Sequence, residues 1–455
     1  MHDLRTLILA AGKGTRMKSK KAKVLHKVGG ACLIEHVFAA ARSLSPDIVV
    51  VLGHQYEKVR ELVPEAKFAE QREQLGTGHA VMMARDQFNG YHGDILVLPG
   101  DVPLIKANTL KAFVEFHQSG GYSASILTAE IPYPAGYGRI VRRAGTEVQA
   151  IVEHRDATPE ILRISEINSS IYVFDADSLF EALTKVENVN SQSEYYLTDV
   201  IGILVMQGKK AGAFKISNAE EILGINTRAE LASIDHLMRM RKCESLMAEG
   251  VTILDPSSTY IDAGVEIGCD TVIHPSVQIY GRSTIGEDVT LHSFSRILNS
   301  SVGAGSTVLE GCIVVDSSLG NGVMLGPYAH LRPLTRLDDG VKVGNFVEIK
   351  KSTLGAGSKS MHLTYLGDAT IGKKCNIGAG TITCNYDGLS KSPTIIGDGV
   401  FIGSDTQLVA PVKIGDGAYI GAGSSITEDV PPESLAIARS RQVVKEGWVR
   451  GRKKK

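Results

Sequence analysis

Hydrophobic residues follow two different periods along the chain, and the change of period predicts its parts. Through residues 1–228, short β-branched runs ("TLILAAG", "DIVVVLG", "DILVLPGD", "ASILTAEI") alternate with stretches of helical spacing ("LIEHVFAAARSL", "TGHAVMMARDQF"). Such alternation predicts a largely parallel sheet covered on both faces, because each crossover lays a helix on the sheet. Ligands of such sheets sit beyond the carboxyl ends of the strands. Residues 229–249 contain neither Gly nor Pro and repeat Leu231, Ile234, Leu237, Met238 and Leu246 at helical spacing, with Gly250 as a stop signal. They predict one helix, read as an exposed amphipathic connector.

After Val251 the period changes, and an aliphatic residue recurs every six residues in several long series. The series runs Ile261, Ile267, Ile273, Ile279, Ile285, Leu291, Ile297, then after a one-residue slip Val302, Val308, Val314. It continues as Leu319, Leu325, Leu331, Leu337, Val343, Ile349, and ends with Ile396, Ile402, Leu408, Ile414, Ile420, Ile426. Neither a helix nor an ordinary strand has this period. It is the signature of a parallel β-helix of hexapeptide repeats, whose stacked aliphatic residues fill the axis. Glycine often follows the aliphatic residue, as in "IGCDTV" and "IGDGAY", and is read as permitting the turn. "SKSMHLTYLGDAT" and "CNYDGLSKSPT" break the register and predict loops able to build a site.

Composition narrows the function classes. The 49 basic and 50 acidic residues balance, so no global field points to nucleic acid or a membrane. No apolar run approaches the ~18 residues of a membrane span, and no secretory leader is expected. Cys32, Cys243, Cys269, Cys312, Cys375 and Cys384 form no C-x-x-C pair, which argues against a zinc site and fits a reducing cytoplasm. The C-terminal stretch from Arg439 carries eight basic residues against one acid. Such tails are usually solvated, and its last three lysines are expected to do nothing specific.

The richest chemistry opens the chain. A strand over Leu4 to Leu9 runs into Ala10-Ala11-Gly12-Lys13-Gly14-Thr15-Arg16. Small residues let a ligand approach the backbone, free N–H groups make an anion nest, and Lys13 and Arg16 add charge. The spacing fits neither a Walker A loop nor the G-x-G-x-x-G fingerprint. The loop suits phosphate by another arrangement.

The motifs "LAAGKGTRM", "EQLGTGHA", "GDVPL", "GYGRI", "GNFVE", "HLTYLGDA" and "IGAGTITCNYDG", in this order, resemble the bacterial bifunctional N-acetylglucosamine-1-phosphate uridyltransferase and glucosamine-1-phosphate acetyltransferase family over the whole chain. The resemblance implies a Rossmann-like nucleotidyltransferase domain at 1–228, a helical linker at 229–249 and a left-handed β-helix acetyltransferase domain at 250–455. It implies a cytoplasmic homotrimer that supplies cell-wall and lipopolysaccharide precursors. UTP and acetyl-CoA are the implied co-substrates and Mg2+ the cofactor.

For uridyl transfer the resemblance implies that Gly12, Gly14, Arg16 and Lys23 cradle the triphosphate, with Arg16 and Lys23 catalytic. Leu9, Ala10, Ala11, Pro99 and Gly100 complete the nucleotide-binding wall. Gln71, Gly76 and Thr77 match positions that read the base, and Asp101 and Asn226 match the Mg2+ ligands. Gly138, Glu153 and Asn168 match positions that hold the acetylated sugar and ribose. By composition alone, Lys23 in "KSKKAKVLH" reads as a surface lysine among Lys18, Lys20 and Lys21, and "GTGHA" could be a helix start. Two departures stand out: Ala22 where close relatives often have proline, and Pro99 where some have tyrosine.

For acetyl transfer the resemblance implies His362 as general base, an imidazole being suited to accept a proton near neutral pH. Arg332, Lys350, Tyr365 and Asn376 match glucosamine-1-phosphate contacts. Ala379, Asn385, Tyr386, Ser404, Ala422 and Arg439 match acetyl-CoA contacts, with Lys445 a further cation in reach of CoA phosphates. A single-activity nucleotidyltransferase with an inert β-helix would lack the matched histidine, the "CNYD" loop and the basic tail. A non-enzymatic trimeric scaffold, or a metal site built from histidines between subunits, is disfavoured because His274, His292, His330 and His362 share no ligand spacing.

Overall fold

In the computed structural model, residues 3–143 and 147–452 are described; Lys453, Lys454 and Lys455, expected to be inert, lie outside them. The chain forms two compact units, Met1–Met238 and Arg239–Lys455.

The first unit is built on a nine-stranded sheet. Its central order is Ala211–Lys215, Ala124–Glu130, Glu166–Asp175, Asp94–Pro99, Leu4–Leu9, Ile48–Leu52, Lys67–Glu70. Alternate residues face opposite layers: Leu7 packs into one core and Ile8 into the other, both fully buried. Leu4–Leu9 is parallel to both its neighbours, as predicted. Glu166–Asp175 is not; it runs antiparallel to Asp94–Pro99 and to Ala124–Glu130. The reason lies in the connection before it. After Ala124–Glu130 the chain forms an antiparallel hairpin, Arg139–Arg143 with Glu147–Val152, instead of a long crossover helix, so the next strand returns in the opposite sense.

The predicted connector is the helix Arg228–Ala248, and it is not simply exposed. Ile234, with Leu231, Leu237 and Met238 beside it, joins a core with Met17, Leu33 and Ile225 in the first unit. Cys243 and Leu246 join the core of the second unit. Each half thus lends its apolar stripe to one unit, and the unit boundary falls within the helix.

The second unit is a parallel β-helix of three sheets with 11, 10 and 9 strands. The aliphatic series stacks in register, Ile261 on Ile279 on Ile297, and fills one continuous core. The first expected register break does not exist. Lys359–His362, Tyr365–Gly367 and Ala369–Ile371 are regular strands, with Ser360 stacked between Val343 and Ile377 at the inward position. A small hydroxyl replaces the aliphatic residue, so the period vanishes from the sequence while the backbone pairing continues. The second break is real: 385–393 leaves the coil as a loop closed by a Tyr386–Lys391 bridge.

The glycine after the aliphatic residue also has a different reason from the one predicted. A Cβ at Gly303 would lie 2.5 Å from Gly320 C and O in the next coil, so glycine is required for close coil stacking. The left-handed turn falls two residues later, at Gly305, and at Asp270 and Asp288 in the equivalent coils.

Candidate active sites

A cavity of about 680 Å³ opens at the carboxyl ends of the first unit's strands. Leu9, Ala10, Ala11, Gly12, Gly14, Arg16, Lys23, Gln71, Gly76, Thr77, Pro99, Asp101, Gly138, Glu153, Asn168 and Asn226 all line it, and so does Lys13. Gly100 is the exception. It sits buried behind the wall, where a Cβ would meet Leu9 O at 3.2 Å, so its contribution is packing.

Local chemistry explains how the loop holds its shape. Gly14 has φ 59°, and a Cβ there would lie 2.7 Å from Lys23 Cβ, so glycine is needed on both counts. Its turn leads into the short helix Thr15–Met17, which carries Arg16. A Cβ on Gly12 would meet nothing within 4 Å: the backbone there faces open space. Asn226 is set by the start of the long helix. Thr227 and Glu230 form a reciprocal cap, Glu230 N donating to Thr227 Oγ1 at 3.2 Å and Thr227 N to Glu230 Oε2 at 2.9 Å. Asn226 N donates to the same carboxylate oxygen at 2.6 Å. Asn226 Oδ1 then accepts from Arg16 at 2.9 Å and from Lys23 Nζ at 3.3 Å. Lys23 also pairs with Asp101 Oδ2. One ammonium therefore bridges the two oxygens matched to a metal site.

The buried Gln71 closes one end, its Nε2 donating to Gly76 O and to His79 Nδ1, both at 3.0 Å. At the other end Asn168 Nδ2 donates to the buried Tyr172 hydroxyl at 2.8 Å, and Asn168 N to Gly138 O at 2.9 Å. Burial pushes the Glu153 carboxyl above its ordinary range, with charge from Asp156, Asp199 and Glu194 adding to the shift. The two departures leave the cavity intact. Ala22 N donates to Gln55 Oε1 at 2.8 Å, a bond proline could not make. Pro99 ends its strand beside Leu9.

In the second unit the repeat sorts the expected residues into columns. Val343, Ser360, Ile377, Ile402 and Ile420 stack inward on one face. Two positions beyond each, at the following corner, stand Asn345, His362, Ala379, Ser404 and Ala422. The exposed His362 Nδ1 lies 2.9 Å from Asn345 Oδ1, an atom that can only accept, so Nδ1 carries the proton. Arg439 follows the last strand of this face, its Cδ near Gly423.

Tyr365 begins the next face, and Arg332 and Lys350 stand at its far edge. Arg332 donates to Glu348 at 2.8 Å. The Lys391 ammonium beside Lys350 pushes that lysine below its ordinary value, and Arg332 adds to the effect. Asn385 and Tyr386 belong to that far corner, where Asn385 donates to Asp368 Oδ2 at 2.6 Å. Asn376 lies on the preceding face, one position before Ile377. One unit thus splits the expected acetyl-CoA contacts between two corners. Lys445 lies in an exposed tail.

Sequence reasoning missed Gln74, Tyr137 and Thr198 in the cavity wall, and Asn345 and Lys391 in the β-helix. Asn345 had a signal: it holds the position of His362 in the preceding coil. Lys391 had none, because its place depends on the fold of a loop.

Residues 6–165 match the MobA-like NTP transferase domain, and 264–299 and 393–428 match the bacterial transferase hexapeptide (six repeats). The chain is 50% identical over 448 residues to the bifunctional protein GlmU of Koribacter versatilis, covering 97% of this chain and 95% of that protein. It is 49% identical to the protein of that name from Geotalea uraniireducens (98% and 99% covered) and 48% to that from Clostridioides difficile (100% and 99%). With a Rossmann-like nucleotidyltransferase unit followed by a left-handed β-helix of hexapeptide repeats, and this identity along its full length, the chain belongs to the family of bifunctional GlmU proteins.

Proposed function

We propose that the two activities of this bifunctional enzyme divide between the two units: acetylation of glucosamine-1-phosphate in the β-helix, then uridyl transfer to N-acetylglucosamine-1-phosphate in the first unit. The product, a nucleotide sugar, supplies cell-wall and lipopolysaccharide synthesis. The observation that carries this reading is the pair of dissimilar sites: a cavity at strand ends lined by a glycine loop with Arg16 and Lys23, and a histidine at the head of a column of small residues.

In uridyl transfer a sugar phosphate oxygen attacks the α-phosphorus of UTP and pyrophosphate leaves. The chain's task is alignment and neutralisation of charge. Gly12 and Gly14 offer backbone to the triphosphate, Arg16 and Lys23 its counter-charge. Asp101 and Asn226 suit Mg2+: both are hard oxygen donors, they share a cation in Lys23, and two protein ligands leave room for phosphates and water. Bound there, the ion would add further positive charge to the triphosphate. Gln71 meets the base, and Gly138, Glu153 and Asn168 the sugar.

In acetyl transfer the glucosamine amine attacks the thioester carbonyl and CoA leaves as its thiol. With its Nδ1 proton committed to Asn345, His362 keeps the Nε2 lone pair for the ammonium proton. Arg332 and Lys350, with Lys391, offer three cations for the sugar phosphate. Ala379, Ser404 and Ala422 provide a column without large side chains for the pantetheine arm, and Arg439 charge for CoA.

The active assembly in this reading is a homotrimer. Along the corner that bears His362, Phe294, Tyr328, Phe346 and Leu363 are exposed and adopt left-handed φ of 65°, 54°, 57° and 51°. Exposing large apolar groups in strained backbone is costly unless another copy covers them. The split of the acetyl-CoA contacts between two corners favours the same assembly. A cytoplasmic location is supported by six free cysteines, and among the described residues no helix is long and apolar enough to cross a membrane.

Omission assays test the whole reading. Glucosamine-1-phosphate, acetyl-CoA, UTP and Mg2+ together should give UDP-N-acetylglucosamine. Without acetyl-CoA, product should return only when N-acetylglucosamine-1-phosphate is supplied. Product formed without acetyl-CoA from glucosamine-1-phosphate would overturn the order of steps.

A further inference from the structure

Gln71 is 3% exposed, yet it lines the nucleotide cavity, so whatever polar atom it turns toward the ligand is fixed by its protein partners. A carboxamide has two chemically opposite ends of nearly equal size, and a half-turn exchanges an acceptor for a donor. Here the orientation follows from the neighbours. Gly76 O is a carbonyl oxygen and can only accept, so the Gln71 atom 3.0 Å away must be the NH2. The same nitrogen lies 3.0 Å from His79 Nδ1, which must therefore present its lone pair. Both amide hydrogens are committed, and among the described residues none donates to Oε1. The backbone is equally held: Gln71 N donates to Leu52 O at 2.8 Å, and Gln74 Nε2 donates to Gln71 O at 3.1 Å.

We propose that His79 is a positioning residue that sets the base specificity of the first unit by locking the Gln71 amide with its oxygen toward the ligand. The proposal rests on the uridyl-transfer reading, in which Gln71 meets the base. An oxygen held in this way accepts from the ring N3–H of uracil. Cytosine has a lone pair at N3, and the two acceptors would face each other. To take cytosine the amide would have to turn over, placing its oxygen against Gly76 O and against the His79 lone pair. His79 therefore discriminates without touching the nucleotide. It can do so because it is the third residue of the helix Thr77–Met83, which begins directly after Gly76.

The test is the ratio of kcat/KM for UTP to that for CTP, with N-acetylglucosamine-1-phosphate as acceptor, on the full chain. His79→Leu removes the acceptor and should lower the ratio roughly three- to ten-fold, the worth of one neutral hydrogen bond. His79→Asn places Oδ1 where the imidazole has Nδ1 and should restore most of the ratio, although it loses the ring as fully as leucine does. Should the leucine variant fail to fold, His79→Ala takes its place. An undiminished ratio in the leucine or alanine variant overturns the role of His79, as does an asparagine variant no more selective than leucine. Gln71→Ala separates this from the underlying reading. If it leaves UTP turnover and selectivity at wild-type values, Gln71 does not meet the base, and both fall together.

Discussion

In the first unit the candidate site is gathered from loops that share no period. Gly12, Gln71, Asp101, Glu153 and Asn226 come from separate stretches of chain and meet in one cavity at the strand ends of a sheet, Asn226 held there by the start of the long helix. In the second unit one repeat position, used again and again, makes a column from Asn345 to Ala422. The first arrangement gives each residue its own support, such as the Thr227–Glu230 cap behind Asn226. The second gives all of them the same support, the stacking of coils. A substitution in the first unit should therefore act locally, whereas one that disturbs stacking should reach every residue of the column.

The sharpest way to break the comparison is at the groups proposed to act in each reaction. His362→Ala should lower acetyl transfer by about a hundred- to ten-thousand-fold, the usual worth of a positioned base, with little change in acetyl-CoA affinity. Turnover with supplied N-acetylglucosamine-1-phosphate and UTP should stay at the wild-type rate. Asp101→Ala should do the reverse, lowering uridyl transfer by roughly a hundred- to a thousand-fold through lost charge stabilisation, with acetylation intact.

Two glycines sharpen the contrast in stability. Gly303→Ala drives a Cβ to 2.5 Å from the next coil and should cost about 1–3 kcal/mol, read by denaturant unfolding, with acetyl transfer impaired at a distance. Gly12→Ala has open space around it and should leave unfolding unchanged while raising KM for UTP.

Burial raises the Glu153 carboxyl above its unfolded value, so the folded state holds a proton that the unfolded state releases. Stability conferred by that carboxyl is present at low pH and falls as pH rises from the unfolded to the folded value. Glu153→Gln should therefore melt higher than wild type at neutral pH, and the gap should close below the ordinary glutamate range. A gap unchanged between acid and neutral pH would contradict this. The smallest effect is expected at Ala22→Pro, which gives up the Gln55 bond, worth about 1 kcal/mol, and recovers part of it by stiffening the unfolded chain.

What could be read in the sequence follows the same divide. The stacked aliphatic residues announced the β-helix because coil pairing forces a period of six on any apolar axis. They fell silent at Ser360, where a hydroxyl occupies the axis and only backbone pairing shows that the coil continues. The opening loop was legible because its glycines and cations are neighbours in the chain. The antiparallel strand Glu166–Asp175 was not, since its direction depends on a hairpin rather than on its own residues. The helix Arg228–Ala248 was legible as a helix, but not its burial, since its stripe looks exposed until two separate cores each claim half of it. The residues of the opening loop, with Gln71, Asp101 and Asn226, line one cavity, whereas the places of Gly100, Lys391 and His79 depend on tertiary neighbours that no spacing encodes.

The central claim is that two independent sites are joined only by a diffusing intermediate. Equal amounts of separately purified His362→Ala and Asp101→Ala proteins, mixed with glucosamine-1-phosphate, acetyl-CoA, UTP and Mg2+, test it directly. Each variant alone should make almost no UDP-N-acetylglucosamine, and the mixture should make it at a substantial fraction of the wild-type rate. A mixture as inactive as either variant alone would contradict the account.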